Sequence, residues 1–140
     1  MLLPSFFDLL KKNERMLRLN SLECLEALTR RYQVAFAPMA KDIQLNICQM
    51  IDEKDLQQAS LSLKISTSLM TAQNNKAAHI SAISPACILS GSEQLNSDCH
   101  KNLIIFIATA AKNKFIDEQA VEKLLSIVSV RTQGAAACLA

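Results

Sequence analysis

Glu14-Arg-Met-Leu-Arg-Leu-Asn-Ser-Leu-Glu-Cys-Leu-Glu-Ala-Leu-Thr-Arg-Arg-Tyr32 carries the pattern that decides the fold. It reads as one helix of about five turns at 3.6 residues per turn. Leu17, Ser21, Cys24, Leu25, Leu28 and Tyr32 follow one another at steps of one, three and four and share a stripe. Met16, Leu19 and Leu22 recur every third residue on roughly the opposite side. A surface helix has one apolar stripe, so two stripes predict a helix packed from both sides. Its small residues, Ser21 and Cys24, fit such a close-packed setting. Asn13 is the expected N-cap.

Working outward, residues 4–12 read as a short helix with Pro4 in its first turn, and they pair with the long helix. The chain is expected to turn at residues 33–36. A second pair opens near Pro38, with Met39, Ile43, Ile47 and Met50 at helical spacing. The next long helix starts near Asp55. It again has two stripes, Leu61-Ile65-Leu69-Ala72 and Leu56-Ala59-Leu63-Met70. At an offset of 41 residues Glu14 falls on Asp55, Ser21 on Ser62, Leu22 on Leu63 and Leu28 on Leu69. Two helices in a unit of about 40–47 residues is the period of HEAT and armadillo repeats, and it excludes the shorter tetratricopeptide and ankyrin units.

After Asn74 and Asn75 a third pair follows. Its first helix, from Lys76, carries Ile80, Ile83, Cys87 and Leu89, and Pro85 inside it predicts a kink or restart. Ser97 or Asp98 is expected to cap the apolar helix that reaches Lys112. Asp117 then caps a helix to about Ile127, and residues 134–140 read as the beginning of another. The fold expected is all-α: a HEAT/armadillo-type α-solenoid of about three helix pairs plus the start of another. Its units span about 2–32, 37–72, 77–112 and, incomplete, 117–140. Neither end shows the polar face that closes a repeat array, so the chain is expected to be part of a longer solenoid and to self-associate in isolation.

Composition agrees. Half of the 140 residues are hydrophobic and only two are Gly and three Pro, which suits helices and starves turns. Fifteen basic against 13 acidic residues leave no tract able to neutralise a phosphate backbone, so no nucleic-acid partner is expected. The longest apolar run, 103–111, is far short of the ~20 residues that cross a bilayer, so no membrane partner is expected either. The five cysteines form no CxxC pair, which points to unpaired thiols in cytosol or nucleus. Cys24 and Cys48 are expected to be buried.

Chemistry-bearing clusters are absent from the pattern. Cys99 and His100 point about 100° apart on a helix and cannot act as nucleophile and base. Two scattered histidines supply no zincin motif, and Asp52, Glu53 and Asp55 mark a helix start rather than a calcium loop. The expectation is a protein without enzymatic activity, cofactor, metal or small-molecule substrate. Lys11, Lys12, Arg15 and Arg18 form a mild cationic cluster, and Arg15, Arg18 and Arg30 are the candidate partner-binding residues.

Leu3-Pro-Ser-Phe-Phe-Asp-Leu-Leu-Lys-Lys-Asn13, the Leu-rich helix after it and the closing Tyr32 are similar to a HEAT repeat from the middle of the cullin-associated, neddylation-dissociated proteins. Ile51-Asp-Glu-Lys-Asp-Leu56, with Leu61, Leu63, Thr67 and Leu69, resembles that family's next repeat, and residues 80–113 and the helix near Leu124 keep its order. Departures are Pro85, where the family has an unbroken helix, and Ser60 and Ser66 at Leu-rich positions. The resemblance implies a non-catalytic segment of an exchange factor that wraps an unneddylated cullin–RING scaffold during ubiquitin-ligase assembly. A HEAT scaffold of another system, such as a transport receptor or phosphatase scaffold, is the alternative.

Overall fold

A computed structural model describes residues 3–72, 76–92, 95–116, 119–120 and 122. Every regular element among them is helical: α1 (Leu3–Leu10), α2 (Arg15–Arg31), α3 (Gln33–Phe36), α4 (Ala40–Ile47), α5 (Leu56–Ala72), α6 (Lys76–Leu89) and α7 (Ser97–Lys112). Single 3-10 turns flank α4 at Ala37–Met39 and Cys48–Met50. The chain is all-α. Of the expected helix capped by Asp117 only residues 119–120 and 122 are described, and they are helical; the rest of that helix, of the fourth unit and of the tail lies outside the described residues.

The long helices α2, α5 and α7 lie side by side, with α5 in the middle. The shorter α4 packs along α6, and α1 lies against α2 and touches α4. The molecule therefore has two layers, α2–α5–α7 and α1–α4–α6. Two apolar cores sit between them. One gathers Leu10, Leu22, Leu25, Ile43, Ile47, Ile65 and Leu69 from α1, α2, α4 and α5. The other gathers Ala59, Leu63, Met70, Ala86, Leu103, Phe106 and Ile107 from α5, α6 and α7.

α5 belongs to both cores, and its two sequence stripes divide between them. Ile65 and Leu69, with half-buried Leu61, enter the first core; Ala59, Leu63 and Met70 enter the second. Leu63 and Ile65 are two residues apart, about 200° around the helix, which is why one helix serves opposite sides.

The long helix at 14–32 differs from expectation. Leu19, Leu22 and Leu25 are buried, but Met16 is 57% exposed, Tyr32 is 53% exposed and Cys24 lies on the surface. Among the described residues one arc of α2 is covered: it takes Ser21 and Leu25 from one stripe and Leu19 and Leu22 from the other, and it leaves Met16, Cys24 and Tyr32 without the second neighbour that α5 has. The helix start is also uncapped by Asn13: the N-cap is Glu14, without a side-chain bond.

Four local expectations are corrected. Residues 33–36 form the short α3 against α5 rather than a bare turn, because Phe36 reaches the first core. Of the kink or restart expected at Pro85, the restart does not occur: α6 runs through it to Leu89. α6 meets the core through Ala78, Ala82 and Ala86, whereas Ile80 is exposed and Cys87 only half-buried. The cap of α7 is Asn96, whose side chain accepts a bond from the Cys99 N–H at 2.8 Å, one position before the expected Ser97 or Asp98.

α7 ends in a reciprocal pair of bonds. The Phe115 N–H reaches the Ala110 carbonyl at 2.8 Å, and the Lys114 N–H reaches that of Ala111 at 3.0 Å. This is a Schellman motif, and it places Lys114 at φ 62°, where glycine is the usual occupant. Phe115 then turns back into the second core.

Candidate functional site

Arg15, Arg18 and Arg30 do not form one patch. Arg15 and Arg30 are about 22 Å apart along α2 by its rise per residue. Arg15 makes a two-pronged bond to Asp55, Nε to Oδ2 at 2.6 Å and Nη2 to Oδ1 at 3.2 Å, and also reaches Gln57 Oε1 at 3.0 Å. It ties the start of α2 to the start of α5. The bonded guanidinium holds the Asp55 carboxyl below its ordinary range, and the pairing raises Arg15 in turn. Arg18 donates from Nη1 to the Lys12 carbonyl at 2.6 Å and leaves its charge on the surface. Arg30 bonds Glu26 one turn away at 3.1 Å. It lines a shallow groove of about 430 Å³ across α2, α5 and α7, with Lys64, Thr67, Ser68, Asn102 and Ile105.

Arg18 faces a second depression, about 360 Å³, whose other walls are Gln49, Met50, Asp52, Lys54, Asp55 and Gln58. Beside it a larger one of about 550 Å³ lies between the turn at residues 52–54 and the end of α6, with Cys48, Ile51, Pro85 and Ile88 as its apolar wall. Both depressions sit where short turns join the two layers. α5 contributes the start of its first turn, and the unbroken α6 carries Pro85 and Ile88 to the rim.

Polar side chains inside the molecule serve its assembly. Ser66 Oγ donates to Gln44 Oε1 at 2.6 Å, and Gln44 Nε2 lies 3.0 Å from His79 Nδ1; all three residues are fully buried. The His79 ring stacks at a tilt on Phe115, centroids 5.1 Å apart. Ser60 Oγ donates to Asp98 Oδ2 at 2.6 Å and accepts from the Asn102 amide. Ser60 and Ser66, the serines that interrupt the leucine pattern, are thus the points where α5 is bonded to α7 and α4.

Cys99 is buried, and burial together with Asp98 pushes its thiol up to about 11. At neutral pH it holds no thiolate to attack an electrophile. Burial raises Cys87 as well. Cys48 is half-buried and Cys24 exposed, so neither is the enclosed thiol expected. Among the described residues no three His, Cys, Asp or Glu side chains converge to hold a metal ion, and no helix is long and apolar enough to cross a membrane.

No protein-family model, curated protein or solved structure matches the chain.

Sequence reading marked Arg15 and Arg18 by their charge but could not separate the arginine that builds the fold from the one that faces solvent. Only the position of Asp55, forty residues on, does that. Gln58 on the wall of the Arg18 depression carries no signal in the sequence, because a glutamine in a helix reads as surface.

Proposed function

We propose that the chain is a protein-binding segment of a HEAT-type α-solenoid, acting as a scaffold without catalytic chemistry. One observation carries this reading. Among the described residues six pairs in distant elements, 38 to 43 residues apart, are joined by side-chain hydrogen bonds: Arg15 with Asp55 and Gln57, Ser60 with Asp98 and Asn102, Glu53 with Ser92 and Met70 with Asn113. Equivalent points of successive units meet at that interval when units of about 40 residues stack in register. Asp98 and Asn102 beside Ser60, and Asn113 beside Met70, also match α5 to α7 near both ends, so the two run parallel. The Gln44 network, at separations of 22 and 35, links the two layers instead.

The partner follows from the resemblance of residues 3–32 and 51–69: an unneddylated cullin–RING scaffold, met in the cytosol or nucleus. Stacked helices present a long face on which a protein partner is held by many modest contacts. The test is capture of purified cullin–RING complex by the immobilised chain and by the protein extended with any flanking repeats. Retention of the unneddylated form, weakened by neddylation, is expected. Absence of binding by the extended protein would falsify the cullin assignment.

A further inference from the structure

The three long helices start in strict register. Glu14, Asp55 and Asn96 immediately precede α2, α5 and α7, each 41 residues after the one before. The faces of the helices repeat at the same interval. Toward the preceding helix, α5 buries Ile65 and Leu69, and α7 buries Phe106 and Ala110. The corresponding residues of α2 are Cys24, which is exposed, and Leu28, which is half-buried. Toward the following helix, α5 buries Ser60 and Leu63 against α7, and at the same positions of α2 Leu19 and Leu22 are buried. The corresponding residues of α7 are Lys101, which is exposed, and Ile104, which is half-buried. Charge obeys the same register. Arg15, the first residue of α2, bonds Asp55 at the start of the following helix. Among the described residues neither Glu14 nor Lys101 has an ion-pair partner.

We propose that α7 of a second copy of this chain seats on the uncovered face of α2, so that copies stack head to tail. Ile104 of one copy then faces Cys24 of the next, in the places held by Leu22 and Ile65 in the first core and by Leu63 and Phe106 in the second. Lys101 reaches Glu14 across the same contact. The occupant is a second copy because the chain carries both halves of the interface. The step of 41 residues that relates α2 to α5 and α5 to α7 leaves one face of α2 and the opposite face of α7 open, and these two faces are the matching ones. A head-to-tail contact leaves a free face at each end of every assembly, so growth passes beyond dimers. The inference rests on the repeat stacking proposed above and not on the cullin.

The experiment is analytical ultracentrifugation of the 140-residue chain in reductant, with two variants that each close one face. Cys24→Arg closes the face of α2, and Ala108→Arg closes that of α7. Both side chains are on the surface, so both variants keep the fold, checked by circular dichroism. The wild-type chain is expected to grow past dimers as its concentration rises. Each variant alone should stay monomeric. Their equimolar mixture should form a one-to-one dimer and nothing larger, because one open α7 face then meets one open α2 face. A wild-type monomer at every concentration, a dimer of either variant alone, or a mixture that stays monomeric would each overturn the proposal. Glu14→Lys should weaken association about fivefold, the size of one exposed ion pair, and adding Lys101→Glu should restore it. No recovery in that double variant would overturn the register. Monomers that still capture cullin would remove this contact alone, and the mixed dimer without cullin capture would remove the cullin alone.

Discussion

Gln44 joins α4, α5 and α6 through one amide. Its oxygen accepts from Ser66 and its nitrogen faces His79 Nδ1, so the imidazole is held with its proton on Nε2. Replacing it by leucine keeps the volume but leaves a buried hydroxyl and a buried ring nitrogen without this partner. Gln44→Leu should lower stability by about 3 kcal/mol, and adding Ser66→Ala should restore part of that, as read from urea midpoints. Lys114 is the opposite case, a residue that stability would exchange. It occupies the left-handed region at φ 62°, which a side chain adopts at some cost and glycine does not. Lys114→Gly should raise stability by about 1 kcal/mol in the same assay. Asp55 makes stability depend on pH. Its carboxyl is held below the ordinary value of 3.8, chiefly by the bond from Arg15. The folded form therefore binds that proton less readily than the unfolded chain. The contribution is full above the ordinary value and disappears as pH falls through the folded one. Asp55→Asn should flatten that acid limb, measured as urea midpoint against pH between about 5 and 2.

Among the elements, α2 and α5 look alike in sequence and differ in use. Each has two apolar stripes, and the 41-residue offset aligns them, but only α5 is covered on both sides by described helices. Leu63→Ala and Ile65→Ala, on opposite faces of α5, should each cost about 3 kcal/mol, whereas Met16→Ala on α2 should stay within about 0.5 kcal/mol. Equal losses at all three positions would contradict the one-sided burial of α2. This pair shows what the sequence made legible. Period and stripe identify the helices and the faces able to pack, which is why the division of α5 between two cores was readable from Leu61-Ile65-Leu69 against Ala59-Leu63-Met70. They do not say whether a neighbour is present, which is why Cys24 and Tyr32 were misplaced. Pro85 differs in another way: propensity allows an interior proline to kink or restart a helix, and the restart is absent because packing of Ala82, Ala86 and Leu89 holds α6 continuous. The Lys114 turn was invisible because its left-handed residue is not glycine. Arg18 was visible as a charge, but Gln58 and the apolar wall of the neighbouring depression depend on how three distant turns meet.

At the scale of the molecule, the shared helix decides how the fold comes apart. In a stack where each unit touches only its neighbours, the two cores could melt separately, and the coupling between them sets whether they do. Here that coupling is α5, because unfolding either core strips one whole side of it. Ser60 and Ser66 tighten the link by bonding the same helix to α7 and to α4. Two native reporters sit at opposite ends. Tyr32, the single tyrosine in a chain without tryptophan, follows α2 by fluorescence, and the buried Cys99 thiol follows α7 by its reaction with a thiol reagent. Their urea midpoints should coincide. Leu22→Ala in the first core and Leu103→Ala in the second should each remove about 3 kcal/mol and move both reporters together, with the urea dependence unchanged. If Leu103→Ala instead released Cys99 while Tyr32 kept its wild-type midpoint, α5 would not transmit between the cores. The two cores would then be independent units that merely touch.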